Sequence, residues 1–461
     1  MSEPFRAFHV PRGVTVRDLD LLEGRFLCLY PSPDPGLLTE AVATARKAGR
    51  RLADRPVMDL VPVIDAAAAT LADAAHPAGD EARRLVAAAT GYSMPMTDMV
   101  ITRMVADWRS RPLEDLLQAE LGEPSVLDRF VPAGPDRWVR AYGPDLSFHV
   151  FSGNVPGVAV TSLVRSLLVK APALAKLASD EPVLPVLFAR ALARQDPELG
   201  DCLVITYWPG GREAVEAVAM AEADTVVVYG GGPAVESLQR RAPTGRRLVV
   251  HGPMFSTGLI AADALGGDLS RLARDVARAV ATFDQQGCVS PHSVWVEDPG
   301  GALAEPFSAA LASAMEEVEQ ELPRGDLTPG EAYLIQQQRS IAELSGHAAG
   351  GRVMASAGTH WTVVLDPEPA FRPSCLNRFV RVHPVPDLDR ALRALAPHGD
   401  QIQSVAIEAP ADRRLELAHR VARLGASRIT TFSRIAWPPP NWHHDGSSPL
   451  RELLRWVDLE E

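Results

Sequence analysis

Cysteine is scarce: the chain has 4 in 461 residues, Cys28, Cys202, Cys288 and Cys375, with no CxxC pairing. That count and spacing exclude a disulfide framework and point to a reducing compartment, the cytoplasm. Long apolar runs are missing as well. A membrane helix needs roughly 18 or more uninterrupted apolar residues, and even the apolar 154–178 stretch carries Arg165, Lys170 and Lys176. The N-terminal sequence MSEPFRAFHVPRG has no apolar core of signal-peptide length. Positive charge is outnumbered, giving a net charge of −12 with no basic run. A nucleic-acid backbone is therefore not the expected partner. Internal repeats and low-complexity tracts are absent, and no GxGxxG fingerprint occurs.

What is present is globular material, 46% hydrophobic and 23% charged, in a chain too long for one ordinary core. Residues 1–145 read as an entry region of mixed character. RFLCLY (25–30) is strand-like, and 36–53 and 59–75 are Ala-rich with helical spacing. Helical character continues over 80–122, with breaks expected at GYSMP (91–95) and at Pro112. From 146 the texture becomes short Val/Ile/Leu strands alternating with helices, which implies βαβ units and buried parallel sheets. The expected division is a cofactor unit over 146–265, a second α/β unit over 266–435 and a tail over 436–461. The prolines of WPPPNWHHDGSSP (437–449) exclude regular structure there, and a short helix is expected to close the chain.

Four features carry chemistry. In FDQQGCVSPHSVWVE (283–297) a helix ends, a polar loop follows and Cys288 precedes a strand. A cysteine on such a loop can meet a ligand with its own amide pointing at the same spot, as a nucleophile requires; a buried structural cysteine is the plain alternative. SGNVPG (152–157) puts Asn154 in a turn at a strand end, where it presents its amide or serves only as a turn residue. VVVYGGGPAV (226–235) runs from a strand through Gly230, Gly231 and Gly232 into a helix. That arrangement lets N–H groups approach a phosphate, or makes an ordinary βα turn. In LAKLASDEP (174–182), Lys176 is either a solvated charge or a contact to a dinucleotide's ribose or 2′-phosphate.

In this order, Asn turn, lysine, glycine turn and cysteine loop, the chain resembles the aldehyde dehydrogenase superfamily and, within it, the LuxC-type acyl-CoA reductases. The tail GASRITTFSRIAWPPPNWHHDG (425–446) carries the same likeness. The resemblance implies two α/β lobes: a Rossmann-like cofactor domain and a catalytic domain carrying the cysteine. It makes Cys288 similar to the family nucleophile, Asn154 to the side-chain oxyanion donor and Lys176 to the lysine on the adenosine ribose. Gly230, Gly231 and Gly232 would pack a cofactor phosphate. It further implies NADPH as reductant (NADH being the other candidate), an acyl-CoA or acyl-carrier thioester as substrate, an acyl-transferring partner protein and a homo-oligomer. Ordinary aldehyde dehydrogenases have a water-activating glutamate where LVVHGPMFS (248–256) stands here, with His251 near that place and no carboxylate. A reductase has no use for that base. The family's ribose-contacting glutamate also lacks a counterpart around Ser374–Arg378.

Two other readings compete. Cys288 with His251 or His292 would suit a cofactor-free thioester hydrolase or acyltransferase, and a non-catalytic subunit would retain the fold alone. His443, His444 and Asp445 offer metal-ligand atoms, but without partner spacing no metal is expected.

Overall fold

Alternating β-branched runs and helices should give parallel sheets covered on both faces, and the computed structural model contains two. It describes residues 4–241, 245–347 and 350–460, so the first three residues of the entry region and the last of the tail fall outside it. In the first sheet five parallel strands lie in the order Arg247–His251, Thr225–Tyr229, Ser147–Val150, Ala173–Lys176, Leu203–Thr206. Ser147–Val150 comes earliest in sequence yet sits in the middle. The chain therefore runs out one way from it and returns to build the other side. Open α/β sheets bind ligands beyond the carboxyl ends of the strands at such a switch point. SGNVPG leaves one of those two strands, and the glycine run leaves the other.

The entry region belongs to this lobe. Helix Val57–Ala72 buries Leu60, Val61, Ile64, Ala67, Ala68 and Leu71 at helical spacing and packs on helix Val183–Gln195. Each large aliphatic side chain so buried contributes about 1.5–3 kcal/mol. Local signals set the helix ends. Asp34 caps Pro35–Ala53, Ser93 caps Met94–Ala106, and Gly91, at φ 76°, closes Pro77–Thr90. The break expected at Pro112 falls earlier. One helix ends at Ala106 and the next, Ser110–Leu121, holds Pro112 in its first turn, where a missing N–H is tolerated.

The second sheet has seven strands in the order Arg352–Ala355, Thr362–Leu365, Phe379–Val385, Pro291–Glu297, Phe255–Ile260, Ile402–Glu408, Arg428–Thr430, all parallel except the first. Phe255–Ile260, grouped by chain order with the cofactor unit of 146–265, pairs entirely within this sheet. The handover between sheets therefore falls at 252–254, immediately after His251. Helix Pro329–His347 and strand Arg352–Ala355 are additions to the expected elements.

The closing helix does not form. Arg451–Leu453 is one tight turn, and Arg455–Glu460 is a strand antiparallel to Arg137–Tyr142. Its cross-strand ties are Arg137 Nη2 to Asp458 Oδ1 at 2.6 Å and Arg455 over the Tyr142 ring at 5.1 Å. Both partners are remote in sequence, so tertiary pairing overrides a segment whose local pattern suits a helix. No described helix is long and apolar enough to cross a membrane.

Candidate active site

Two left-handed turns hold the thiol loop. Phe283, Asp284 and Gln285 have φ of 59°, 49° and 65°, and Leu376, Asn377 and Arg378 have 63°, 56° and 64°. Non-glycine residues persist there, at a cost of order 1–3 kcal/mol each, only when their surroundings over-determine them. These two turns determine each other. Asn377 N–H donates to Asp284 O (3.1 Å), Arg378 Nε to Asp284 Oδ1 (2.8 Å) and Phe379 N–H to Gln285 Oε1 (2.8 Å). Arg378 is fully buried between Asp284 and Glu319. The stretch around Ser374–Arg378 thus supports the cysteine loop. The carboxylate in its neighbourhood is Glu331, which lines the same cavity and is hydrogen-bonded to Asn377.

Cys288 follows this support and is half-buried. Its carbonyl accepts from Ser256 Oγ (2.7 Å), and Ser256 in turn accepts from Ser404 N–H (3.1 Å), which anchors the loop to two strands of the second sheet. Asn154 approaches from the first sheet. Its Nδ2 donates to Gln286 O (2.9 Å) and its Oδ1 accepts from Ser152 Oγ (2.7 Å). A primary amide has two N–H donors, so one remains for a ligand. Tyr92 Oη lies 3.0 Å from Asn154 O and 3.1 Å from Phe283 O, bridging the two loops. Gly157 is required in the asparagine turn: φ is 97°, and a Cβ there would stand 2.7 Å from Met104 Cγ.

Lys176 ends its strand with Nζ 3.3 Å from Glu216 Oε1 and 5.5 Å from the centre of the Trp208 ring. Arg241 binds the other oxygen of Glu216. Gly230 follows strand Thr225–Tyr229, and Gly232 starts helix Gly232–Arg241. A Cβ at Gly231 or Gly232 would meet nothing within 4 Å. One cavity of about 1050 Å³ is lined by Cys288, Asn154, Lys176, Gly230 and Gly231. It brings together all the expected site residues except Gly232, which lies one position beyond its wall.

The electrostatics around sulfur are unfavourable to a thiolate. Burial, with the Asp445 carboxylate adding to it, pushes the Cys288 thiol up to about 12, against hydrogen bonds from Gln403 and from backbone N–H groups. His292 lines the cavity, but its Nδ1 accepts from Ser374 N–H (3.2 Å), and burial lowers its pKa to about 4. It is neutral near pH 7 and supplies no cation to the sulfur.

His251 has a carboxylate partner after all. Its Nδ1 lies 2.8 Å from Asp445 Oδ2, contributed by the tail 194 residues later. Burial opposes the charge on Asp445, yet the hydrogen bond from His251 and its other neighbours hold the carboxyl below its usual range. Ligand atoms of His251, His444 and Asp445 lie within 4.8 Å of one another. The two imidazoles, however, are stacked face to face at 4.3 Å and 17°. That geometry makes ring contact and an ion pair, with no convergence of ring nitrogens on one point. Tyr92, Gln403, Glu331 and Asp445 were not legible as site residues. Only Asp445, inside WHHDG, stood in a segment already singled out.

Fold and site together define an α/β oxidoreductase of the aldehyde dehydrogenase type. An aldehyde dehydrogenase from Physcomitrella patens superposes with a TM-score of 0.77 at 13% identity, covering 100% of this chain and 99% of that one. An NADP-dependent glyceraldehyde-3-phosphate dehydrogenase from Bacillus halodurans, solved with NADP, gives 0.74 at 16%, covering 99% of each chain. At such identities the likeness is one of fold. The sequence goes further: the acyl-CoA reductase (LuxC) family profile matches residues 52–456, and the chain belongs to that family. The long-chain acyl-protein thioester reductase of Aliivibrio fischeri is 27% identical over 381 residues, which span 80% of this chain and 75% of that protein.

Proposed function

We propose that the protein reduces a long-chain acyl thioester to an aldehyde with NADPH, through a covalent thioester on Cys288, with NADH as the alternative reductant. The observation that carries this reading is the single cavity shared by Cys288, Asn154, Lys176 and the glycine turn. The donor is an acyl-CoA, a carrier-bound acyl group or one delivered by an acyl-transferring protein. The four cysteines are unpaired, in keeping with work in the cytoplasm, and a homo-oligomer is the expected assembly.

The residues fit a dinucleotide. Gly231 and Gly232 leave open space at a helix start, where N–H groups favour phosphate. Lys176 and Ser179 line the same cavity and would hold the ribose or its 2′-phosphate. A bound reduced nicotinamide supplies hydride to the acyl carbon.

The chain's own groups do the rest. Cys288 sulfur attacks the thioester carbonyl, the new S–C bond forms, and the donor thiolate leaves with the proton that Cys288 gave up. The free Nδ2–H of Asn154 and the Cys288 amide steady the oxygen while it is negative, both after attack and after reduction. Collapse of the hemithioacetal releases aldehyde and returns the Cys288 thiolate, which takes one proton from solvent.

The test uses tetradecanoyl-CoA with NADPH, following loss of reduced nicotinamide and formation of aldehyde, beside Cys288→Ala. Cysteine-dependent formation of both products is expected. A second reading, thioester hydrolysis, draws on the His251–Asp445 pair near the place of a water-activating carboxylate. Free acid released without nicotinamide oxidation would establish hydrolysis and overturn reduction.

A further inference from the structure

Among the described residues the Cys288 sulfur has a side-chain donor in Gln403, whose Nε2 lies 3.9 Å away. Gln403 is completely buried on strand Ile402–Glu408. Its Oε1 faces the Ser427 hydroxyl at 3.1 Å. The amide orientation follows from chemistry: its other neighbours are a thiolate-forming sulfur and a carboxylate, both acceptors, so the NH₂ group must face them. The Gln403 side chain also hydrogen-bonds Asp445, and Asp445 accepts from His251 Nδ1 at 2.8 Å. A continuous chain, Cys288–Gln403–Asp445–His251, therefore joins the thiol to the tail.

We propose that Gln403 is a second residue of the thiol site, donating to the Cys288 sulfur, and that through it the tail carboxylate Asp445, held by His251, sets how readily Cys288 ionises. The proposal rests on Cys288 being the nucleophile. Two anions served by one amide compete for its donors, and a like charge nearby disfavours ionisation. Asp445 thus opposes the thiolate while Gln403 supports it.

The groups facing this chain are Asp445 and His444 from the tail, His251 and Tyr229 from adjacent strands of the first sheet, Arg428 from the second, and His292 on the thiol's own segment. Tyr229 stacks on His251 at 4.5 Å. Burial holds His444 neutral, at about 3. Arg428 gives its guanidinium to the carbonyls of Ile435 (2.7 Å) and Arg434 (2.7 Å). Burial lowers it to about 10, with Cys288 pulling in the opposite direction. Asp445 is thus the anion of the set, and it comes from the tail.

The experiment is alkylation of the full chain by iodoacetamide across a pH series, followed as mass gained at Cys288, with Cys288→Ala as blank. In that reaction the thiol proton goes to solvent, an S–C bond forms and iodide leaves. At a pH where the wild-type thiol is mostly protonated, Asp445→Asn is expected to react about tenfold faster and Gln403→Leu about tenfold slower, one pH unit of midpoint each way. An Asp445→Asn variant that reacts no faster than wild type overturns the proposal, as does a folded Gln403→Leu variant that reacts no more slowly. If Gln403→Leu loses its thermal transition, Asp445→Asn decides alone. Alkylation needs no acyl donor. Failure to turn over any thioester therefore sinks the reductase reading while leaving these signs standing.

Discussion

The two ends of the cavity are built on opposite principles. At Lys176 and the Gly230–Gly232 run, the walls are strand ends and bare backbone, and added Cβ atoms at Gly231 and Gly232 would meet open space. At Cys288 the loop rests on six left-handed residues, none of them glycine, locked by a buried arginine and two carboxylates. The open end can be altered without disturbing the fold, because little packs against it. The thiol end cannot, because its geometry is stored in contacts between segments about ninety residues apart in sequence.

Substitution at each end sharpens this contrast. Arg378→Leu removes one partner of a buried ionic cluster and is expected to lower stability by about 3–5 kcal/mol, measured by denaturant unfolding. A stability within about 0.5 kcal/mol of wild type, as for an ordinary surface change, would erase the distinction between the two ends. Asn154→Ala, at the thiol end but on the exposed lip, is expected to leave unfolding unchanged and to lower kcat about 100- to 1,000-fold. Loss confined to KM would remove Asn154 from the oxyanion role. The smallest effect belongs to the open end. Lys176→Met is expected to raise the KM for NADPH about tenfold, roughly 1.4 kcal/mol, with kcat and stability nearly unchanged. A fall in kcat instead would mean that the Lys176–Glu216 pair supports the thiol end as well.

The same contrast explains what the sequence could yield. The alternation of strands and helices, the turn at Asn154, the glycine run and the loop at Cys288 are local patterns and could be read directly. Lys176 was visible, but its pairing with Glu216, 40 residues away, was not. The four-residue strand that carries Lys176 is too short to announce itself. Phe255–Ile260 went to the wrong group because neighbours in sequence were taken as neighbours in a sheet, whereas it pairs with Pro291–Glu297 and Ile402–Glu408. The closing strand escaped for a similar reason, since its partner, Arg137–Tyr142, comes more than three hundred residues earlier. Gln403 looks like any polar residue in a strand, and only folding brings it to Cys288, 115 residues before it.

The tail's contribution has a consequence in time. Asp445 follows Cys288 by 157 positions, 445 − 288. At roughly 5–20 residues per second of synthesis, the thiol loop leaves the ribosome about 8–31 s before its carboxylate neighbour. During that interval the nascent chain carries its nucleophile without the anion that quiets it. Arrival of the tail then acts as a safety catch, closed by the ribosome itself near the end of its work.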